Sequence, residues 1–172
     1  MATKTTKPPK DAIALLKEDH ATVRELLDEF EKAAMNDGDE AGTLLETIEA
    51  ELKVHTTIEE EIFYPAFREA ASRKDDTKLY YEAVEEHHVV DMVLPEIDKG
   101  EVGSPEFAAK AKVLKDLVEH HAGEEEKEMF PRARKLMDKD ELQTLGEQLA
   151  RRKEELTAAT GAARSGDEDE ED

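Results

Sequence analysis

Residues 55–65 read His55-Thr56-Thr57-Ile58-Glu59-Glu60-Glu61-Ile62-Phe63-Tyr64-Pro65, and residues 121–131 read His121-Ala122-Gly123-Glu124-Glu125-Glu126-Lys127-Glu128-Met129-Phe130-Pro131. Both stretches carry His-x-x-x-Glu and a closing Pro at a constant offset of 66, with only the Phe displaced by one. Upstream, Glu18-Asp19-His20 ahead of Leu26-Leu27 returns as Glu85-Glu86-His87 ahead of Val93-Leu94, at an offset of 67. The chain therefore reads as two copies of one helical hairpin, each contributing a His and then a His-x-x-x-Glu.

Around these stretches the apolar residues keep helical spacing. Ile13, Leu16, Val23, Leu27, Phe30 and Ala34 mark a first helix from Asp11, and Asn36-Asp37-Gly38-Asp39 reads as a turn. Leu45, Ile48, Leu52, Ile62 and Ala66 mark a second helix, from about Gly42 to Ser72. Tyr80, Val84, Val90, Leu94 and Ile97 mark a third that stops at Lys99-Gly100, with Pro95 expected to kink its last turns. Ser104-Pro105 reads as N-cap and first residue of a fourth helix reaching about Met137. A fifth, capped by Asp138 and carrying Leu142, Leu145, Leu149 and Leu156, has a thinner stripe and is expected on the outside of the bundle. The expected organisation is a flexible leader over 1–10, a metal-binding bundle over 11–137, an accessory helix over 138–160 and a disordered acidic tail over 161–172.

Composition narrows the function. Of 172 residues 40% are charged, the formal net charge is -21 and there is no cysteine. That charge repels phosphate backbones and anionic lipid, so neither nucleic acid nor a membrane is expected as partner. Without thiolates any metal must sit among oxygen and imidazole nitrogen. No run of about 18 apolar residues and no signal-like leader occurs, so a cytoplasmic protein is expected, and a monomer is favoured.

Residues four apart share a helix face, so His55 with Glu59, and His121 with Glu125, can reach one point in space. His20 lies on the line Leu16–Val23–Leu27, and the two His-x-x-x-Glu pairs extend the lines through Leu52 and Val118. With His87, which falls between Val84 and Val90 on the third helix's stripe, six polar side chains occupy core positions, at a cost of several kcal/mol for each uncompensated carboxylate. A lone histidine on an apolar face is usually a hydrogen-bonded core residue, and a lone His-x-x-x-Glu is common; two copies in register point instead to bound cations. Imidazole and carboxylate suit iron, manganese or zinc, and two carboxylates able to bridge favour a dinuclear centre. His20, His55, Glu59, His87, His121 and Glu125 are the candidate ligands, with no catalytic residue beyond them. Asp91, Tyr64, Glu60 and Arg24 are read as candidate supporting groups around the ligands. Glu60, Glu61, Glu124 and Glu126 read as a solvated face, from which Glu60 or Glu126 can shift inward. Tyr64, Tyr80 and Tyr81 read as packing residues at the bundle edge, with a phenol near the metal as the alternative. His88 and His120 point about 100° away from the ligands and are left out.

The pattern His20, His55-x-x-x-Glu59, His87, His121-x-x-x-Glu125 resembles the hemerythrin-like HHE cation-binding domain of bacteria, over roughly residues 11 to 137. The resemblance implies an all-α, up-down four-helix bundle with two iron ions bridged by Glu59, Glu125 and an oxo or hydroxo group and capped by the four histidines. The invertebrate oxygen carriers of the family have a fifth histidine four residues after the third and an Asp five residues after the last. Asp91 and Glu126 stand in those places here. Fewer imidazoles and more anionic groups favour reaction with peroxide over reversible carriage of O2. The expected function is binding of O2, peroxide or nitric oxide with catalase- or peroxidase-like turnover in oxidative or nitrosative stress; the alternative is an O2 or iron sensor, or an iron store, without turnover.

Overall fold

The computed structural model describes residues 10–36 and 39–167, with side-chain burial described as far as Thr160. Helix α1 spans Ala12–Ala33; α2 spans Glu40–Ile58 and runs through a π-turn at Glu59–Phe63 into α3, Tyr64–Ala70. Helix α4 spans Lys74–Asp98, α5 spans Pro105–Glu124 and passes a second π-turn at Glu125–Met129 into α6, Phe130–Leu136, and α7 spans Lys139–Asp167. Among the described residues there is no strand. Four rods result, α1, α2–α3, α4 and α5–α6, joined by short turns and packed as a ring in which α1 touches α2 and α5 while α4 touches α5 and α2. This is a four-helix bundle with a fifth helix, α7, laid across α1 and α2.

Local signals start the rods where the sequence places them. The Asp11 carboxylate accepts from the Ala14 N–H at 2.8 Å, and the Ser104 hydroxyl accepts from the Phe107 N–H at 3.1 Å ahead of Pro105. Asp138 accepts from the Asp140 and Glu141 N–H groups at 2.9 Å while Glu141 reaches back to the Asp138 N–H at 2.7 Å, a reciprocal cap for α7. Two features differ from the sequence reading. The second and fourth helices are not uniform: each widens for one turn directly before its proline. A proline in a helix interior lacks an N–H and its ring crowds the carbonyl four residues back. The wider turn, closed by Tyr64 N–H to Glu59 O and by Phe130 N–H to Glu125 O, is where the chain absorbs this. The fifth helix runs on to Asp167, past the Gly161 boundary expected for the tail, because Ala162, Ala163 and Arg164 are good helix formers extending an existing helix. The leader over 1–9, Asp37-Gly38 of the first turn and residues 168–172 of the tail lie outside the described residues.

The core is split in two. Ile13, Leu16, Ile58, Phe63, Tyr64, Phe67, Met129, Phe130, Leu142 and Leu149 belong to one apolar cluster, and Val23, Leu27, Phe30, Ile48, Leu52, Val90, Leu114 and Val118 to another. Along α1 the first cluster ends at Leu16 and the second begins at Val23; Asp19 and His20 fall in the gap. The same gap holds His55 on α2, His87 on α4, and His121 and Glu125 on α5 and its π-turn. One polar layer crosses all four rods between two greasy ends.

Helix α7 is seated tightly on the start of α1. A Cβ at Gly146 would meet the Lys10 carbonyl and come within 2.7 Å of the Asp11 carbonyl carbon and 2.8 Å of the Ala12 nitrogen. Gly146→Val should therefore lift α7 off α1 and destabilise the chain by about 1–3 kcal/mol or more, read as a lowered Tm and faster proteolysis within α7; an unchanged Tm would show that α7 is not held there. No described helix is long and apolar enough to cross a membrane.

Candidate metal centre

The structure brings all six candidate ligands together. His20, His55, Glu59 and Glu125 place one ligating atom each within 4.8 Å of one another, and Glu59, His87 and His121 do the same beside them. Glu59 spans both groups: its Oε1 lies 3.2 Å from His55 Nε2 and its Oε2 3.3 Å from His87 Nε2. Glu125 Oε2 lies 3.1 Å from His20 Nε2 and 3.6 Å from His121 Nε2. Each carboxylate thus faces both a first-half and a second-half histidine, and Glu59 and Glu125 are 0% and 2% exposed.

Whether cations fit can be judged from the donor atoms. His20 Nε2, both nitrogens of His55, Glu59 Oε1 and Glu125 Oε2 are buried with no hydrogen-bond partner, although imidazole and carboxylate stand within 3.1–3.6 Å of each other. Buried polar atoms are normally paired. Atoms that converge at contact distance without hydrogen-bond geometry, in an imidazole and carboxylate set, suit divalent or trivalent cations of the iron, manganese and zinc kind.

Without cations, protons must balance the same charges. Burial alone pulls the His55 imidazolium down, but Glu59, Asp19 and Glu125 outweigh it and lift His55 to about 10. Burial raises Glu59, and the adjacent His55 and His87 overcome that, holding its carboxyl well below the usual carboxylate range. His55 then stabilises the metal-free fold fully below its unfolded value of 6.5, and this is lost as pH rises through about 10. Glu59 contributes above its ordinary 4.5, and its contribution is lost as pH falls through its depressed value. The Tm of the metal-free protein should therefore fall between pH 6.5 and 10, whereas cation binding, which displaces the His55 proton, should tighten over that range. A pH-independent Tm would contradict this.

Each of the four candidate-ligand histidines also meets a carboxylate through Nδ1. His20 has Glu126 Oε1 at 2.9 Å, His87 has Glu60 Oε1 at 2.7 Å and His121 has Glu86 Oε2 at 2.7 Å. Asp19 Oδ2 stands 3.5 Å from His55 Nδ1, outside hydrogen-bond geometry. Such partners fix the ring so that Nε2 turns toward the cluster, where it could meet a cation. The pattern is crossed: the acid preceding the lone histidine of each hairpin faces the other histidine, and the acid following each inner glutamate serves the lone histidine of the other hairpin. Asp19 and Glu86 carried no role in the sequence reading, and the repeat of Asp19-His20 as Glu86-His87 was the available signal. Glu60, read as a candidate supporting group, takes up its contact from the exposed side of the bundle, and Glu126 takes up its own from a half-buried position.

The supporting groups are sorted by the same geometry. Arg24 donates to Glu126 at 2.8 Å, whereas Asp91 is exposed and joins neither the cluster nor Arg24. Tyr64 is not a bundle-edge residue: it is completely buried, its hydroxyl donates to Glu125 Oε1 at 2.8 Å and lies 3.3 Å from His87 Nε2. Burial and the negative charge of Glu125 and Glu59 push its phenol well above 10, so it stays a neutral donor. Phe130, its repeat partner, stacks on His20 with ring centroids 5.7 Å apart and brings no hydroxyl. Tyr80 packs edge-on to Tyr64, and Tyr81 is exposed. His88 and His120 are exposed, and His120 lies 3.3 Å from Glu86. Above the four histidines is a cavity of about 20 Å³, walled by Val23, Leu52, Val90, Val118 and Ala122.

Known proteins resemble this chain in sequence and fold. The model of the hemerythrin HHE cation binding domain matches residues 11–133. An uncharacterized protein of Mycobacterium tuberculosis, Rv2633c, is 29% identical over 147 residues, covering 85% of this chain and 87% of its own length, and a Mycobacterium bovis protein, Mb2666c, matches equally. The crystal structure of a hemerythrin HHE cation binding domain-containing protein from Mycobacterium kansasii, a homolog of Rv2633c, superposes with a TM-score of 0.76 at 30% identity, covering 87% of this chain and 89% of that one. With its repeated His and His-x-x-x-Glu converging in one buried layer, the chain belongs to the hemerythrin HHE cation-binding domain family.

Proposed function

We propose that this chain holds two iron ions, one between His20 and His55 and one between His87 and His121, with Glu59 and Glu125 shared, and that it decomposes hydrogen peroxide. The observation that carries the reading is the cluster of buried ligating atoms without hydrogen-bond partners. An iron pair supplies two-electron redox chemistry at O2, peroxide or nitric oxide. In the peroxide reaction one molecule is oxidised to O2 and a second is reduced to water.

The chain's own groups do the rest. The apolar cavity over the histidines offers about 20 Å³, room for one or two heavy atoms and nothing larger. Val23, Leu52, Val90 and Val118 keep bulk water from it, which favours a small neutral ligand over anions. On the opposite side the Tyr64 hydroxyl holds a proton at Glu125 Oε1, placed to steady the carboxylate as charge at the centre changes. Stopped-flow mixing of iron-loaded protein with peroxide should give a spectral change and release of O2; neither occurring would remove the enzymatic reading.

A second reading, an O2 or iron sensor without turnover, draws on one contact: Lys153 of α7 bonds Asp19 at 2.5 Å, and Asp19 faces His55. It requires loading to alter the protease sensitivity of α7, and equal digestion of metal-free and loaded forms would count against it.

A further inference from the structure

The carboxylates behind the four histidines are neutralised on one half only. In the first half, Glu126 Oε1 is shared between His20 and the Arg24 guanidinium, and Lys153 holds Asp19 Oδ1 at 2.5 Å while Asp19 Oδ2 stands off from His55 at 3.5 Å. In the second half, Glu60 and Glu86 bond His87 and His121 at 2.7 Å. Among the described residues no lysine or arginine pairs with either; Glu86 has only the exposed His120 beside it, at 3.3 Å. The sequence repeat shows the reversal in its register. Arg24 stands four residues after His20, and the matching place, four residues after His87, holds Asp91. Lys153 comes from α7, which has no counterpart in the repeat.

We propose that Arg24 and Lys153 are positioning residues that make the two halves unequal, so that the cation between His20 and His55 is held more weakly than the cation between His87 and His121. This rests on the two-cation reading above. A carboxylate that accepts the imidazole N–H raises the donor strength of the metal-facing nitrogen. A guanidinium or ammonium sharing that carboxylate withdraws the effect and adds positive charge near the metal, both of which weaken cation binding. The first half carries both penalties on both histidines and the second half carries neither. The same bias favours the higher oxidation state on the second half.

Calorimetric titration of the metal-free full chain with Co2+ should resolve two steps separated by about tenfold or more in affinity. Arg24→Gln and Lys153→Gln should each tighten the weaker step several-fold without moving the tighter one, and Lys153→Arg should keep the wild-type isotherm. Asp91→Arg is the decisive variant because Asp91 is exposed and holds the place in the second hairpin that Arg24 holds in the first. It places a guanidinium where it can share Glu60, and should weaken the tighter step and shift only that step's Co2+ absorption band. Two equal steps, or an isotherm unmoved by Arg24→Gln and Asp91→Arg, would overturn the inequality and leave the two-cation reading standing. No uptake of Co2+ at all would overturn that reading itself.

Discussion

Glu59→Gln should lower the affinity for both cations on the order of 100-fold or more and leave the helical fold intact. The change removes one unit of charge while keeping the shape of the side chain. Glu59 has no exposure, and its two oxygens face His55 and His87 at 3.2 and 3.3 Å, one in each half. An amide can offer only one oxygen, and its NH2 group would point at the other half, where it has no lone pair to offer a cation and is repelled by it. The loss is therefore expected in both binding steps. Glu119→Gln, exposed on α5 and outside the cluster, serves as the control and should change nothing. Retention of both steps in Glu59→Gln would mean that the shared carboxylate is not shared.

The second large effect has opposite signs in the two states of the protein. Replacing His55, Glu59, His121 and Glu125 together by leucine should abolish cation binding and yet stabilise the metal-free chain by about 1–4 kcal/mol, as happens when buried ionic groups give way to apolar ones of similar volume. The polar layer lies between two apolar clusters whose nearest members, Leu52, Ile58, Val118 and Met129, already surround it. Leucines would join them into one core. For a chain of this size the gain corresponds to a rise of very roughly 2–16 °C in Tm over the metal-free wild type. The loaded wild type should still exceed the variant, since ligands that bind only the folded state add their binding free energy to its stability. A variant that is less stable than the metal-free wild type would show that the ion pairs of the layer outweigh the cost of burying their charges.

Much of this centre is legible in the sequence because it is written in helical periodicity. His20, His55, Glu59, His87, His121 and Glu125 all fall on apolar stripes, and an α-helical period suffices to bring them to one level. Helical spacing leaves the place of Tyr64 open between packing and support of the site, for a definite reason. Five residues after Glu59, an α-helix turns a side chain well off the glutamate's face. A π-turn, whose hydrogen bonds reach back five residues, returns it close to that face, and the Tyr64 hydroxyl arrives 2.8 Å from Glu125. The proline at 65 hinted at a local break without saying that the break is a widening. Asp19 and Glu86 are not legible for another reason: each belongs to a rod other than the one carrying the imidazole it meets, as with Asp19 on α1 and His55 on α2. Such pairings depend on how the rods are rotated against each other, which one-dimensional spacing does not contain. Lys153 is the furthest case, 134 residues from Asp19 and on a helix outside the repeat.

The central claim is that cations occupy the buried layer in place of the protons that His55 otherwise carries. Elemental analysis of the full chain, purified from iron-supplied cells without affinity metals, tests it most directly. Two iron atoms per chain, falling to none in Glu59→Gln, is the predicted result; wild-type protein that is folded and free of bound metal would contradict it.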